Sequence, residues 1–414
     1  MSSKTTSFIL LKSQKCSTCY AGRGLRSGTP RWGYPSHRYR GGPLPFGFSV
    51  LVCMAVSCNG NKASLESYLT PERNANLGKV VLEKLDSVVC EVPENEYNSF
   101  TGIDVNQDKL YCFSVLDPLK ITVYDIAKGE HVKTIDYDPN LLRAREILSY
   151  QVLSRDSILL VTTPGSKVVL TDGEGKILER WSPDISEGEL CGGGVHYDYL
   201  NSGKLCMVMC PGSRYSIEKS DPSVPRHWIY DMNTNDWYGK IAPLEGVLKY
   251  SEGLYYFDMM TPFHLVKDNL LYVTYMVDHS VYVYDINTGK LLVEKDISPE
   301  DAGVMVSPIE TEIASYENLS DLRRRAASYG PLYYHEECNL FSRVYKYSLE
   351  QRNGSGNHME VCIYDEDFNI VGSEIIKTGY IDFIFPTQDG FVAVAKNNTD
   401  ADSVKFIRYK IKSL

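Results

Sequence analysis

The sequence predicts an all-β fold, a six-bladed β-propeller closed by an N-terminal strand, with one inserted helix near 309–328. Three observations lead there. A strand–turn–strand unit recurs five times, most plainly as Val281-Tyr282-Val283-Tyr284-Asp285-Ile286-Asn287-Thr288-Gly289-Lys290-Leu291-Leu292. The units are spaced as four-stranded meanders. The last meander lacks one strand, while an early strand near residue 80 has no meander of its own.

In the repeated unit, β-branched and aromatic residues run up to the Asp, and Asp, Asn, Thr and Gly then make a turn. Its relatives are Val123-Tyr124-Asp125-Ile126 with Gly129, Asp172 with Gly175, Ile229-Tyr230-Asp231-Met232-Asn233-Thr234, and Ile363-Tyr364-Asp365. Counted from Asp125, the equivalent Asp residues follow at steps of 47, 59, 54 and 80. Repeats of roughly 40–50 residues built from four short strands are propeller blades, and longer steps mark insertions.

The first blade is expected over about Phe100 to Tyr137, the second over Ile147 to Trp181, and the third over Gly193 to Ile241 with an insertion at Pro211 to Arg226. The fourth runs from about Tyr255 to Ile297 and the fifth from Tyr329 to Ile376. The sixth has only Ile381–Phe385, Phe391–Ala395 and Val404–Tyr409. Gly78 to Val92, which reads as one or two strands, supplies the N-terminal strand that completes it, which closes the ring and removes two aggregation-prone edges. Ile309, Ile313, Leu319, Leu322 and Ala326 recur at near-helical spacing and predict the inserted helix, with Arg323-Arg324-Arg325 near its C-terminal end as a solvated cationic end or, alternatively, an anion-binding patch facing the propeller mouth.

The N-terminal region reads differently. Residues 1–57 contain eight Lys or Arg and no Asp or Glu, and end in an apolar run from Phe46 to Val56. The run is too short to span a bilayer and suits a signal-peptide core. Ala55-Val56-Ser57-Cys58 is similar to a bacterial lipobox, so Cys58 is the expected lipidation site. Domains are therefore expected at 1–57 (basic leader and signal peptide), 58–76 (lipidated Cys and tether) and 77–414 (propeller). Residues 1 to about 40 are long for a leader and read as an extension or a start-site artefact. Residues 58–414 carry 35 basic and 53 acidic side chains, a formal charge of −18, which argues against nucleic acid as a partner. Beyond Cys58 seven Cys remain, an odd number at irregular spacing, and they read as small strand hydrophobes rather than a disulfide framework.

The lipobox, the closed ring of six units and the strings Pro211-Gly212-Ser213-Arg214-Tyr215 and Tyr329-Gly330-Pro331-Leu332-Tyr333-Tyr334 resemble the Bacteroidota-type six-bladed β-propeller lipoproteins, a TolB-like family built on a domain of unknown function. The similarity spans about residues 59–414. It implies a lipid-anchored cell-envelope propeller and carries over no catalytic residue. Some exported lipoproteins of that lineage have an acidic run soon after the lipidated Cys. Asn59 to Glu66 has none, so an outer-membrane, periplasm-facing anchor is expected.

No motif in the chain carries a chemistry by itself. A sialidase-type Asp box, an HExxH pair and a Gly-x-Ser-x-Gly elbow are absent from the sequence. Asp231-Met232-Asn233-Thr234-Asn235-Asp236 begins like a calcium loop, but Asp236 and Ala242 stand where Gly and Glu are required, so it reads as the repeated turn. Cys16-Ser17-Thr18-Cys19 is a lone pair, and His335-Glu336-Glu337-Cys338 places neighbours on opposite strand faces, so no metal and no cofactor is expected. Gly192-Gly193-Gly194 precedes a strand, which suits tight packing rather than phosphate binding. Six polar or aromatic residues on inner strands and mouth loops remain as ligand-binding candidates: His196, Arg214, Tyr215, His264, Tyr334 and His335. Arg and Tyr there suit a glycan or carboxylate by stacking and forked hydrogen bonds, and each also suits packing between blades. The resulting expectation is a binding or scaffold module for a glycan, peptide or protein. The alternative is an envelope hydrolase or lyase acting on a saccharide, which needs two carboxylates, or a His with a carboxylate, converging on the axis.

Overall fold

The computed structural model describes residues 79–414 except 92–99, 107–108, 115–118, 164–166, 186–188, 191–196, 201, 211–220, 250–253, 256–260, 300–301, 304, 306–308, 311–324, 350, 352–357, 378–380 and 396–402. The expected signal segment, Cys58, the tether and the Cys16/Cys19 pair lie outside the described residues.

Strand β1 (Val80–Glu91) comes first. Blade 1 is β2 (Phe100–Asn106), β3 (Lys109–Ser114), β4 (Lys120–Asp125) and β5 (Glu130–Asp136). A one-turn helix, α1 (Pro139–Leu142), links it to blade 2; the Asp138 carboxylate caps it by accepting from Asn140 N at 2.7 Å. Blade 2 is β6 (Glu146–Ser154), β7 (Ser157–Thr163), β8 (Lys167–Thr171) and β9 (Ile177–Trp181). Blade 3 has a split inner strand, β10 (Glu189–Leu190) and β11 (Tyr197–Leu200), both paired with β12 (Lys204–Cys210), followed by β13 (His227–Asp231) and β14 (Asp236–Ile241).

After a short strand β15 (Leu254–Tyr255), blade 4 is β16 (Phe263–Lys267), β17 (Leu270–Thr274), β18 (Ser280–Asp285) and β19 (Leu291–Asp296). After β20 (Ile309–Glu310), blade 5 is β21 (Ser328–His335), β22 (Leu340–Lys346), β23 (His358–Tyr364) and β24 (Ile370–Lys377). Blade 6 is β25 (Ile381–Pro386), β26 (Gly390–Ala395), β27 (Ser403–Ser413) and, outermost, β1. Six antiparallel meanders in a propeller arrangement match the expected count.

The ring closes as the sequence requires. β1 pairs antiparallel with β27 from Val80↔Ser413 to Glu91↔Ser403, with one slip between Lys84 and Asp86. It is a single strand of 12 residues held by buried Val80, Leu82 and Cys90. Arg408 forks onto the Asp86 carboxylate, Nε to Oδ1 at 2.6 Å, and fixes the register.

Burial follows position in the blade. Middle strands such as β4, β7 and β18 are buried on both faces, because each blade is covered by a neighbour on either side. Outer strands β5, β9 and β19 expose most residues. The apolar clusters are the seams. Ile121 and Val123 of blade 1 meet Tyr150 and Leu160 of blade 2, and Cys206 and Ile229 of blade 3 meet Val273 and Val266 of blade 4. Leu265 and Tyr272 of blade 4 meet Phe341 of blade 5, and in blade 6 Phe391 meets Tyr333 of blade 5 while Phe406 meets Tyr124 of blade 1. Each fully buried Leu, Ile, Val or Phe contributes about 1.5–3 kcal/mol before ordering costs.

The five repeated Asp residues are turn residues. Asp125 Oδ1 accepts from Ala127 N (3.1 Å) and Lys128 N (3.0 Å), Asp172 Oδ1 from Glu174 N (2.9 Å) and Lys176 N (2.9 Å). Asp231, Asp285 and Asp365 accept from Asn233 N, Thr288 N and Asn369 N at 2.9, 2.7 and 2.8 Å. Each turn closes on a residue at positive φ: Gly129, Gly175, Asn235, Gly289 and Phe368. A register slip one or two residues before every Asp adds the local twist that the outer strand needs. Phe368 in this costly conformation packs its ring against Phe341 of its own blade and Tyr272 of blade 4 across the seam.

Two expectations are corrected at the margins. Tyr255 does not begin blade 4: it belongs to β15, which pairs with β20 in a separate two-stranded sheet. Of the expected helix at 309–328, residues 311–324 lie outside the described residues; Ile309–Glu310 is strand, Arg325 is helical, and Ser328 begins β21. Long-range pairing wins at Ile309 over helical spacing, which is a local signal.

Candidate ligand face

In a meander, the turns between strands one and two and between three and four lie at one end, and the remaining connections lie at the other. The first end is uniform: Asp268–Asn269 alone joins β16 to β17, and the five Asp turns recur there. The second end carries residues 211–226 between β12 and β13, 242–262 between blades 3 and 4, 297–327 between blades 4 and 5, and 347–357 between β22 and β23. Every insertion that stretches the repeat is at this long-connection end.

Its described part centres on blades 3 to 5. The β17–β18 connection, Tyr275 to His279, faces a 3-10 turn at Gly246–Leu248. Asp278 is buried and fully used: Oδ1 accepts from Ser280 N at 2.9 Å, and Oδ2 from the Tyr282 hydroxyl at 3.0 Å and Val247 N at 3.3 Å. Glu245 accepts from the Tyr284 hydroxyl at 2.8 Å and from Lys249 Nζ at 3.3 Å. Gly246 sits at φ +56°, where an added Cβ would lie 1.9 Å from Asp278 Oδ2 and 2.2 Å from the Tyr282 hydroxyl, so only Gly fits. Burial, and then the adjacent carboxylates, push the Tyr282 and Tyr284 phenols far above their ordinary range. They are permanent donors to those carboxylates.

Arg343 ties this end to blade 5. Its guanidinium is fully buried in β22 and donates from Nη2 to Tyr275 O (2.6 Å), from Nη1 to His279 O (3.4 Å) and from Nε to Gly330 O (3.1 Å), lying 4.1 Å above the Tyr329 ring. His279 Nδ1 and the Tyr329 hydroxyl are 2.7 Å apart. Beyond them the Tyr345 hydroxyl accepts from Gly303 N at 2.5 Å, and the Tyr347 hydroxyl donates to Glu360 Oε2 at 2.6 Å. The arrangement holds loops rigidly. Its donors and acceptors are committed to one another, and among the described residues no group of three His, Cys, Asp or Glu could hold a metal ion.

The sequence candidates divide. His196, Arg214 and Tyr215 lie outside the described residues. His264 is buried near the long-connection end of β16, 3.7 Å from Asp198 Oδ2 and edge-on to His227. Tyr334 and His335 end β21 at the opposite, short-turn end. Tyr334 is half-buried under Lys267, whose Nζ lies 4.6 Å from the ring centroid, and its hydroxyl bonds Asn339. His335 is fully buried and ties blade 5 to blade 6, with Nδ1 2.9 Å from Thr387 O and Nε2 2.7 Å from Ser342 Oγ. These two are not brought together with His264.

Similar inter-blade ties come from residues that pattern reading passed over. Gln151 Oε1 accepts from Tyr199 N at 2.8 Å, and Asp198 Oδ2 from Val266 N at 3.0 Å. Among the described inner-strand side chains the carboxylates are Glu146 and Asp198, and Asp198 is engaged in its tie. Arg343 was detectable: a charge in the middle of Leu340-Phe341-Ser342-Arg343-Val344-Tyr345 must find an internal partner. Glu245 gave no signal, because its Tyr284 partner lies 39 residues away; Asp278 binds Ser280 N and Tyr282 locally, and only its Val247 contact comes from another element.

Comparison with known proteins adds a domain match and a shared fold. Residues 240–375 match the domain of unknown function DUF4221, covering blades 4 and 5, the connections that precede them and thus Glu245, Asp278 and Arg343. Comparison with curated proteins finds no match. A crystal structure of a DUF4221 member from Bacteroides vulgatus superposes with a TM-score of 0.61 at 15% identity, covering 82% of this chain and 100% of that one. A second structure, from Bacteroides fragilis, gives a TM-score of 0.48 at 13% identity over 80% of this chain and 96% of its own. With a domain match over blades 4 and 5 and a fold shared with the Bacteroides vulgatus structure, the chain is a six-bladed β-propeller that contains a DUF4221-like region of unknown function.

Proposed function

We propose that the chain is a binding or scaffold module that takes a glycan, peptide or protein partner on its long-connection end. One observation carries this reading: the connections that stretch the repeat all join strands at one end, where the described residues Glu245, Asp278, Arg343 and their Tyr partners form a buried framework. Loops that vary on a fixed scaffold are where propellers recognise ligands, whereas fold by itself assigns no chemistry. The lipobox-like Ala55-Val56-Ser57-Cys58 supports a cell-envelope role with lipid at Cys58, in the outer membrane and facing the periplasm.

Two experiments test the two halves. The full chain is presented to glycan and peptide arrays, and any ligand found is re-tested with Lys249→Glu at the long-connection end and Lys290→Glu at the opposite end. Loss with Lys249→Glu alone supports the assignment, and loss with Lys290→Glu alone reverses it. Separately, Cys58→Ala should move the protein from the membrane to the soluble fraction; retention in the membrane would refute the anchor.

A further inference from the structure

The seam between blades 3 and 4 buries two imidazoles that the ligand face does not use. His227 opens β13 and points the same way as Ile229, towards blade 4; His264 in β16 points the same way as Val266, towards blade 3. Their ring centroids are 5.1 Å apart at 84°, and they are 0% and 2% exposed. Among the described residues none of their four ring nitrogens completes a hydrogen bond of good geometry, although the Ala242 carbonyl lies close enough to act on His227, and Nε of the adjacent Arg226 completes none either. Buried polar atoms are nearly always paired, so this concentration in one seam is unusual.

The groups facing the pair leave little room for added positive charge. From blade 3 come Asp198, Cys206 and Arg226. Among the described residues Asp198 is the carboxylate beside the rings, 3.7 Å from His264 Nε2, where it already accepts from Val266 N, and the Asp221 carboxylate acts on Arg226. The Cys206 thiol is raised well above its usual range by burial and stays neutral. Arg226, pulled down by burial to about 10, remains a cation at neutral pH. From blade 4 comes Tyr275, whose neutral hydroxyl donates to Pro243 O at 3.2 Å. Glu245 lies beyond it, occupied by Tyr284 and Lys249. Burial first, then His264 and Arg226, hold His227 well below the ordinary His range, against a weaker opposite pull from the Ala242 carbonyl. Burial likewise lowers His264, against Asp198.

We propose that His227 and His264 form an acid-sensitive latch: both rings are neutral while the seam is closed, and protonating either one parts blades 3 and 4 at their long-connection end. A proton on one ring places a second cation beside Arg226 in a buried seam, where Asp221 already answers Arg226 and Asp198 already accepts from Val266 N. The open state binds that proton first. The latch is therefore fully effective above the ordinary His range, about pH 6.5, and weakens as pH falls below it. His227 directly follows the 211–226 connection and His264 follows 242–262, so opening would release the anchor points of both. The latch belongs to the seam itself and stands whether or not the face above it takes the proposed ligands.

Hydrogen exchange of the full chain between about pH 7.5 and pH 5, corrected for the chemical rate, tests this. Peptides covering 221–249 and 261–280 should lose at least about tenfold more protection than peptides from 358–377, the equivalent of one pKa unit. Equal loss in both regions, or an unchanged seam, overturns the latch. The difference should vanish in His227→Gln/His264→Gln and persist in His335→Gln; persistence in the double variant also overturns it. If the double variant does not fold, the wild-type comparison decides.

Discussion

At the short-turn end, Asp125, Asp172, Asp231, Asp285 and Asp365 repeat one device: a carboxylate that accepts the next backbone N–H groups, followed by a residue at positive φ. At the long-connection end no two blades are alike. The connection entering blade 4 is tied to it by Glu245 on Tyr284 and by Val247 N on Asp278, and blades 4 and 5 meet through Arg343 on the Tyr275 and His279 carbonyls. The difference teaches where selection of residues is local and where it is not. A turn is satisfied by its own neighbours, so it can be copied from blade to blade. A buried charge is satisfied by whatever another element supplies, so each solution is particular to its seam.

The comparison predicts unequal costs. The largest should be Arg343→Leu, which strips the donor from three buried carbonyls at about 1–3 kcal/mol each, offset in part by the apolar replacement. Denaturant unfolding should show a loss of several kcal/mol, and Arg343→Lys should not restore it, because one ammonium cannot span the fork. A loss under about 1 kcal/mol would mean the long-connection end is not the rigid framework described.

The next effect crosses the comparison, because His335 is a buried inter-blade tie at the short-turn end. Burial lowers it to about 4, against the favourable Thr387 carbonyl and Asp389. The folded state thus refuses a proton that the unfolded chain accepts. The stability His335 contributes is full above about pH 6.5 and is lost as pH falls towards 4, by an amount on the order of 3 kcal/mol. His335→Gln should flatten this part of the stability–pH curve, leaving the slope due to His227 and His264. An unchanged slope would remove His335 from the acid-labile set.

Two smaller effects separate the ends again. Tyr284→Phe leaves Glu245 with Lys249 alone and should cost about 1–2 kcal/mol in thermal or denaturant unfolding. Gly289→Ala forces a side chain into φ +68° and against Ile241 Cγ2 at 3.0 Å, for about 1 kcal/mol. Gly289→Asn should cost less, since Asn235 occupies the equivalent position in blade 3. Finding Ala and Asn equivalent would show that the contact, rather than backbone conformation, sets the cost.

Legibility followed the same division. The Asp–Gly turns, the alternation of strands and the missing sixth-blade strand could be read directly, and the pairing of Val80–Glu91 with β27 followed from counting strands. The helix expected from Ile309 to Ser328 failed at its start because β20 pairs with β15, two segments more than fifty residues apart in sequence. Of the candidate residues, His264 and His335 were singled out for their chemistry and are found buried in seams. Gln151 and Asp198, which make equivalent ties, looked like ordinary strand residues.

What the sequence by itself determined is the repeat: turn chemistry and hydrophobic period act over a few residues, so they are written where they act. The blade count and the closing strand follow from that repeat and the need to cover sheet edges. Only the tertiary structure decided which buried charge meets which partner. Arg343 reaches Tyr275 O, Tyr284 reaches Glu245, and His227 meets His264 without a hydrogen bond, each across a seam between blades. Such contacts depend on the strand register and on which face each side chain takes in two blades at once, and no local pattern encodes both.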